Sequence, residues 1–398
     1  MLDIEVLRYL YKESVKNFIR ENNINFNWNE NDERLVSLFN TIDNQEKRSF
    51  LEREILYGMQ RNIYISKIDE NINHINDERI AIEIINSFNE YTNGRLFTDQ
   101  SFTDDCIGRK INIDEQKLLH YNIHKDQMNN VDRIDIILAT CMSNEADGDD
   151  EGVYIYYSIT IDTVNNLLII RMRNMDTIHS DFKVDEQYDL IKEYILNKID
   201  MRLVRNDDNF YRMTIYNIVD YVNNTVLNNF YRQLDESIGD NIEQSVLIWN
   251  EELPENEIND EERLIIINNI KNSYCKLISQ NRLQNLTPLE IKNLYNVDGY
   301  VNRVKFEDDS IGNTRVKSTT IKETLLNTST FYDIKASMER GRNIKEANIQ
   351  WLDQNNDRIN VVFNNEKQGK FKVIIKNNYF NERMDRYVLQ KIIQYSPR

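Results

Sequence analysis

The chain contains 398 residues, of which 49 are Lys or Arg and 66 are Asp or Glu, so its formal net charge is −17. Apolar residues make up 40% of the chain, enough to fill the cores of two or three domains, and this excludes an intrinsically disordered protein. Glycine is scarce, at 10 residues, and neither GxGxxG nor GxxxxGK[ST] occurs, which excludes dinucleotide-binding and Walker-type nucleotide sites of the usual kind.

The N-terminal region, residues 1–130, is predicted to be mostly helical. Apolar residues recur at the spacing of an amphipathic helix from Leu7 to Ile19 and again from Leu35 to Met59. A further segment of this kind starts at Asp77. We expect these segments to form short amphipathic helices that pack on one another.

The central region, residues 131–250, is predicted to be an α+β domain, because the apolar period changes from helical to two. Asn165 and Asn166 suit a tight turn, because Asn tolerates positive φ, so the strands on either side should form a hairpin within an antiparallel meander. The expected elements are strands over residues 134–141, 153–161 and 167–173 and helices over residues 185–200 and 208–236.

The C-terminal region follows an acidic segment, residues 249–257, that we interpret as a linker. Residues 260–398 are expected to form a helical connector and a small α+β module. Thr287, Pro288 and Glu290 fit a capping box with proline at the first helical position. The other expected elements are helices over residues 260–280 and 380–394 and strands over residues 300–306, 348–352, 358–363 and 370–376. The predicted fold class is therefore α+β, with a helical N-terminal region, a central antiparallel meander with helices, and a small basic α+β C-terminal module.

Charge is unevenly distributed along the chain. Residues 301–398 contain 18 Lys and Arg and 12 Asp and Glu, a net charge of +6, whereas the first 300 residues carry −23. Basic side chains displace counterions from phosphates and aromatic rings stack on bases, so the C-terminal module is a candidate for contact with nucleic acid. The alternative interpretation is that it contacts an acidic surface of its own chain or of a partner. The residues that carry both interpretations are Arg340, Arg342, Lys345, Trp351, Lys370, Lys372 and Lys376.

A dense run of carboxylates over residues 144–152 invites a hard cation such as Ca²⁺ or Mg²⁺. Its candidate metal ligands are Asp147, Asp149 and Glu151. An EF-hand alignment fails because Ser158 stands where the bidentate Glu is required. We therefore interpret the run as the solvated tip of a strand hairpin, which also offers a contact for a basic partner.

His120 and His124 are four residues apart, which on a helix would place both imidazoles on one side, as in metal sites. No Glu follows His120, so the HExxH motif is absent, and no third ligand is identifiable. We interpret both as structural or surface histidines.

Asp105, Glu115 and Lys117 can be aligned with the D…ExK pattern of nucleases, in which two acids bind Mg²⁺ and the lysine polarises the attacking water. That pattern normally places ExK at the end of an apolar strand, whereas Asn112 and Asp114 precede it here. The nuclease is kept as an alternative, with Mg²⁺ as its cofactor. The preferred interpretation requires neither a cofactor nor catalytic residues.

Cys106, Cys141 and Cys275 lie far apart and form neither a CxxC pair nor a disulfide framework, so we expect reduced thiols in a cytoplasmic protein. The N-terminus lacks the basic and apolar regions of a signal peptide, and no run approaches the ~18 apolar residues of a membrane span. Heavy use of Asn, Ile, Lys and Glu is what AT-rich codons produce and points to a low-GC bacterium or its phage.

We therefore expect a non-enzymatic subunit of a larger cytoplasmic assembly in a bacterium or phage, with phage defence as one setting. A protein partner is expected, and the C-terminal module would contact nucleic acid or an acidic partner. Two alternatives remain open. One is the metal-dependent nuclease, and the other is an acidic protein that inhibits a nucleic-acid-binding partner by presenting phosphate-like charge.

Overall fold

The structure, a computed structural model, confirms a mixed α+β fold. It describes residues 4–58, 62–69, 75–89, 116–142, 153–174, 182–199, 202–204, 207–252, 258–284, 286–308, 312–318, 320, 323–377 and 380–397.

The helices of the described residues are α1 (Ile4–Tyr9), α2 (Lys12–Glu21), α3 (Asp32–Asn40), α4 (Asn44–Arg53), α5 (Glu78–Asn89), α6 (Val184–Ile199), α7 (Asp208–Leu234), α8 (Asp240–Glu252), α9 (Asp260–Leu283), α10 (Pro288–Tyr295), α11 (Ser329–Gly341) and α12 (Glu382–Tyr395). The strands are β1 (Asn62–Lys67), β2 (Gln116–Lys125), β3 (Val131–Met142), β4 (Val153–Asp162), β5 (Leu167–Met172), β6 (Gly299–Asp308), β7 (Gly312–Lys317), β8 (Ile344–Leu352), β9 (Arg358–Asn364) and β10 (Phe371–Ile375). Single π-helical turns follow α4 at Glu54–Gly58 and α7 at Asp235–Gly239, and a 3₁₀ turn lies at Leu325–Asn327.

The chain divides into two compact units. Unit 1 comprises Met1–Asp207 and Gln368–Leu389, and unit 2 comprises Asp208–Lys367 and Gln390–Arg398. These boundaries differ from the three segments predicted from the sequence, because a C-terminal stretch belongs with the N-terminal half of the chain. Strand pairing explains this, since β10 hydrogen-bonds to β1 and so extends the sheet of unit 1.

The sheet of unit 1 contains β2, β3, β4, β5, β1 and β10 in that order, and all neighbouring pairs are antiparallel. The predicted meander is confirmed as β3, β4 and β5, in which Ile159 of β4 lies opposite Ile136 on one side and Ile170 on the other. Asn166 turns the chain between β4 and β5 with a φ of 55°, the left-handed conformation that Asn tolerates.

Two strands fall inside the N-terminal region that was predicted to be mostly helical. Strand β1 is six residues long and its side chains are buried on both faces, so neither a helical nor an alternating pattern marks it. Strand β2 lies next to β3 at the end of this region. The helices α1 to α5 agree with the prediction that residues 1–130 are mostly helical, and strands β1 and β2 are elements of this region that the prediction did not contain.

One apolar core in unit 1 joins the sheet to its helices. Phe18, Phe39 and Phe50 bring α2, α3 and α4 together, and the ring centroids of Phe18 and Phe50 lie 4.2 Å apart. Tyr9 of α1 donates its hydroxyl hydrogen to the backbone carbonyl of Tyr156 at 3.1 Å, which anchors the N-terminal helices on strand β4.

Unit 2 contains a four-stranded antiparallel sheet in the order β9, β8, β6 and β7. The 27-residue helix α7 packs on β6 and β8 and buries Ile215, Val222 and Phe230, which recur at helical spacing. Helix α9 packs in turn on α7.

Local signals explain the starts of two helices in unit 2, α9 and α10. Asn259 and Thr287 each form a capping box with the Glu three residues later, which confirms the predicted start of α10. Strand β7 and helix α11 lie outside the predicted elements. Strand β7 is polar and has no alternating pattern that a sequence analysis could detect.

None of the helices in the described part of the chain is long and apolar enough to cross a membrane. Cys141 and Cys275 are buried free thiols, and Cys106 lies outside the described residues.

Candidate functional site

Two of the predicted nucleic-acid-binding lysines lie in unit 1, next to helix α6. Lys370 Nζ is 2.5 Å from Asp189 Oδ2, and Lys372 Nζ is 3.0 Å from Asp185 Oδ1. Both ammonium groups are therefore compensated by carboxylates of the same unit. This matches the alternative interpretation, in which basic residues of the C-terminal region contact acids of their own chain.

Two further predicted residues in unit 2 are also engaged. Lys345 Nζ lies 2.6 Å from Glu307 Oε2, and this hydrogen bond lowers the pKa of the Glu307 carboxyl. Trp351 is 1% exposed and its ring packs against Gly299. The Trp351 ring is therefore not free to stack on a base.

The last three predicted basic residues are exposed. Arg342 follows α11 with a φ of 46°, and its guanidinium lies 5.9 Å from the ring centroid of Tyr216. Arg340 belongs to unit 2, whereas Lys376 belongs to unit 1. The seven predicted residues therefore do not form one basic surface within either unit.

His120 and His124 lie on strand β2 and not on a helix. His120 Nε2 is 3.1 Å from Glu52 Oε1, and His124 Nε2 is 2.9 Å from Asp135 Oδ2. The two imidazoles contact different carboxylates and so share no ligand position. Within the described ranges, no three His, Cys, Asp or Glu side chains are grouped so that they could hold a metal ion.

The nuclease and metal-loop candidates mostly lie outside the described residues, namely Asp105, Glu115, Asp147, Asp149 and Glu151. Lys117, the third nuclease candidate, lies on strand β2 opposite Ala139. The structure therefore brings no acid of the D…ExK pattern next to it among the residues that are described.

A buried polar network connects three strands of unit 1 with helix α12. The Arg171 guanidinium donates to both carboxylate oxygens of Asp385, at 2.8 and 2.9 Å, and to the Thr160 hydroxyl at 2.8 Å. Thr160 in turn donates to Asp135 Oδ1 at 2.7 Å. Burial opposes ionisation of Asp135, but the hydrogen bond from His124 contributes to holding the pKa of that carboxyl below its usual value. The network is internally paired and buried, so we assign it a structural role.

Exposed apolar side chains concentrate in one part of unit 2. Of the fourteen large apolar side chains exposed among the described residues, nine lie between residues 247 and 294. Trp249 is 55% exposed and Ile265 is 58% exposed. Seven of the nine lie on α8 and α9. Five of these seven lie at the end of α8 or the start of α9, and we call them the apolar helix-pair surface: Leu247, Ile248, Trp249, Leu264 and Ile265.

Helices α8 and α9 pack on each other and bring these five residues to the same end of the pair. Lys271 of α9 contacts Glu243 of α8 at 3.5 Å. Only seven residues connect the end of α8 to the start of α9. The last turns of α8 and the first turns of α9 are therefore neighbours. Val246 and Ile267 are buried, so the pair has an apolar interior as well as an apolar exterior.

The sequence contains a signal for this surface. Residues 246–249 and 264–267 are each four consecutive apolar residues, and four residues span more than a full helical turn. Such a run cannot face a single core, so some of its side chains must reach solvent or a partner. The linker predicted over residues 249–257 begins inside α8, which continues to Glu252. Trp249 was therefore assigned to a linker and not to the exposed face of a helix.

Exposed carboxylates border the apolar helix-pair surface, at Glu251, Glu252, Glu261 and Glu262. Asp260 forms an ion pair with Arg263 at 2.8 Å. The border is therefore strongly acidic, which favours a partner with basic residues around an apolar centre.

A comparison of the sequence with models of known protein families finds no match, and a comparison with curated proteins finds none either. A functional proposal therefore has to rest on the geometry and chemistry of the chain's own residues.

Proposed function

We propose that this protein is a non-enzymatic subunit of a larger assembly and that it docks on a partner protein through the apolar helix-pair surface. The observation that carries the proposal is the exposure of Trp249 and of four aliphatic side chains on two helices that pack on each other. Burying one large apolar side chain contributes about 1.5–3 kcal/mol. Trp is also among the residues most enriched in interface hot spots.

The acidic border defines the chemistry of the partner. Exposed carboxylates such as Glu252 and Glu261 attract Lys and Arg side chains at the rim, while the apolar centre excludes water. A partner segment with apolar residues flanked by basic ones fits both features. The rim charges should make association faster at low salt than at high salt.

The ion pairs of the C-terminal lysines support a protein partner over nucleic acid. Lys345, Lys370 and Lys372 already contact carboxylates, so phosphate groups would have to displace those carboxylates before binding. Arg340 and Arg342 are the exposed basic residues of unit 2 that remain from the sequence prediction. Two arginines supply far less counterion release than the 6–10 phosphate contacts typical of strongly salt-dependent binding.

Replacing both Trp249 and Ile265 with Glu is the direct test. Both side chains are more than half exposed, so the double variant should fold normally. Light scattering after size-exclusion chromatography detects self-association, and co-purification from the native host detects another protein. The wild type should form a complex that the double variant loses, with affinity reduced roughly 100-fold or more.

Met128→Glu is the matched control, because Met128 is 83% exposed and lies on the β2–β3 turn of unit 1. It adds the same charge at an exposed apolar position and should leave the complex intact. Identical masses and identical bound proteins for the wild type and the double variant would refute the proposal. Loss of the complex on Arg340→Glu and Arg342→Glu alone would instead assign docking to the C-terminal module.

A further inference from the structure

Unit 1 contains a cavity of about 750 Å³ between helix α2, the π-helical turn after α4 and the start of α12. Its lining includes the aromatic rings of Tyr11, Phe18 and Phe50 together with charged side chains. The cavity is therefore large enough for a small organic molecule and offers both apolar and polar contacts.

Glu54 is the unusual residue of this lining. Its side chain is buried, at 7% exposure, and its Oε2 atom has no hydrogen-bond partner among the residues that the structure describes. Burial raises the pKa of Glu54 to about 7, although a hydrogen bond with Ser14 and the charge of Arg53 favour the ionised form. An uncompensated buried carboxylate is costly, so its presence beside a cavity favours a ligand that supplies a hydrogen-bond donor.

The backbone of the turn that contains Glu54 leaves room for its carboxylate. Glu54 and Gly58 form the first and last residues of a π-helical turn, a feature that is frequent at functional sites. A Cβ atom at position 58 would overlap Glu54 Oε2, so only glycine leaves room for the carboxylate in this position. The observed position of the Glu54 carboxylate therefore depends on glycine at position 58.

Acidic groups outnumber basic groups around the cavity. Helix α2 contributes Glu13 and Glu21, and the start of α12 contributes Glu382 and Arg383. Arg53 lies beside Glu54 on its own helix, where its Nε donates to the backbone carbonyl of Ser49 at 3.2 Å. Two of the four lining carboxylates are already paired with neighbouring cations, Glu13 with Lys16 at 3.5 Å and Glu382 with Arg386. The buried Glu54 carboxylate is therefore the negative charge that a ligand in the cavity would balance.

We propose that this cavity binds a small organic cation, an amine or a guanidinium compound, with the Glu54 carboxylate as its counter-ion. A cationic N–H donor would both hydrogen-bond to Glu54 Oε2 and balance the charge of the Glu54 carboxylate. The aromatic rings at Tyr11 and Phe18 add favourable contacts for a cation and for its carbon chain. A metal ion fits less well, because the described residues do not gather three metal-binding side chains at this place.

The test is isothermal titration calorimetry of the full chain with agmatine, putrescine and guanidinium chloride. Binding should strengthen about tenfold between pH 6 and pH 8, since the ionised fraction of Glu54 rises by that factor around a pKa of about 7. About half a proton should be released per bound cation at pH 7, which titrations in two buffers of different ionisation enthalpy measure.

Glu54→Gln keeps the shape of the side chain and removes its charge, so it should weaken binding at pH 8 by about tenfold or more and abolish the pH dependence. Glu46→Gln is the matched control, because Glu46 is exposed on helix α4, just before the π-helical turn of Glu54, and lies outside the cavity lining. It should bind as the wild type does.

Failure of all three cations to bind the wild type at pH 8 would overturn the proposal. Binding that is equal in the wild type and in Glu54→Gln would also overturn it. If Glu54→Gln does not fold, the wild-type pH dependence decides, and an affinity that is constant from pH 6 to pH 8 counts against the proposal. Gly58→Ala, which displaces the carboxylate without removing it, should weaken binding as well.

Discussion

Unit 1 buries an ion pair and, elsewhere, a carboxyl group outside any such pair. Arg171 and Asp385 are joined by two hydrogen bonds, so each charge is compensated by the other. Among the described residues Glu54 Oε2 has no such partner, and burial raises the pKa of the Glu54 carboxyl to about 7. Burial alone therefore does not mark a residue as a functional candidate, whereas an uncompensated charge beside a cavity does.

The pKa of Glu54 predicts how stability depends on pH. The folded-state pKa, about 7, is above the ordinary value of 4.5, so the folded protein retains a proton that the unfolded chain has lost between these two values. Stability should therefore fall as the pH rises from about 4.5 to about 7, by about 3 kcal/mol in total. Glu54→Gln should remove this loss, and urea unfolding at pH 5 and pH 8 measures it. A difference between variant and wild type that is the same at both pH values would contradict the assignment.

Arg171→Met should destabilise unit 1 by about 3–5 kcal/mol, because it leaves Asp385 buried and uncompensated. Replacing both residues, Arg171→Met with Asp385→Leu, should recover most of this loss, since two apolar side chains need no partner. A double-mutant cycle in urea provides the measurement. If the two single losses simply add in the double variant, the pair is not the coupled unit described here.

At the scale of helices and strands, the pattern of side chains predicts an element when the signal lies within that element's own residues. Strands β3, β4 and β5 alternate or are rich in β-branched residues, and their meander is as predicted. Strand β1 could not be predicted, because its partners β5 and β10 are about 100 and 300 residues away in the sequence. The Glu54 cavity was equally out of reach, since it assembles side chains from residues 11–58 and 381–383. The apolar helix-pair surface differs from these two, because the four consecutive apolar residues 246–249 are a local signal for it.

The cap of helix α10 gives a prediction for a single element. Thr287 accepts a hydrogen bond from the backbone N–H of Glu290, so Thr287→Ala should cost about 1 kcal/mol of stability. Thr287→Ser is the control, because serine keeps the hydroxyl that accepts this hydrogen bond. Thr287→Ser should cost less than Thr287→Ala in the same urea titration. An equal loss for both would show that the cap of α10 contributes nothing specific.

At the scale of the whole molecule, charges of opposite sign are paired within each unit. The C-terminal 98 residues carry a net charge of +6 on a chain with a total of −17, yet Lys345, Lys370 and Lys372 contact carboxylates. The excess of negative charge therefore remains the dominant feature of the molecule towards other macromolecules. This supports a basic protein partner and argues against a nucleic acid.

Replacing Lys370 and Lys372 with Ala distinguishes these possibilities. If their ion pairs are internal, the double variant should lose up to about 1 kcal/mol of stability, because both carboxylate partners are partly exposed. Its affinity for single- and double-stranded DNA and RNA, measured by fluorescence anisotropy at two salt concentrations, should equal that of the wild type. A weaker affinity with a flatter salt dependence would restore nucleic acid as the partner.

The three tryptophans of the chain occupy three different environments. Trp351 is enclosed in unit 2, Trp28 lies under the cationic groups of Lys16 and Arg20, and Trp249 faces solvent. Indole emission shifts to longer wavelength in water, and only an accessible ring is quenched by acrylamide. Trp249 should therefore dominate the red edge of the emission spectrum, and loss of quenching there would report the arrival of a partner without any label.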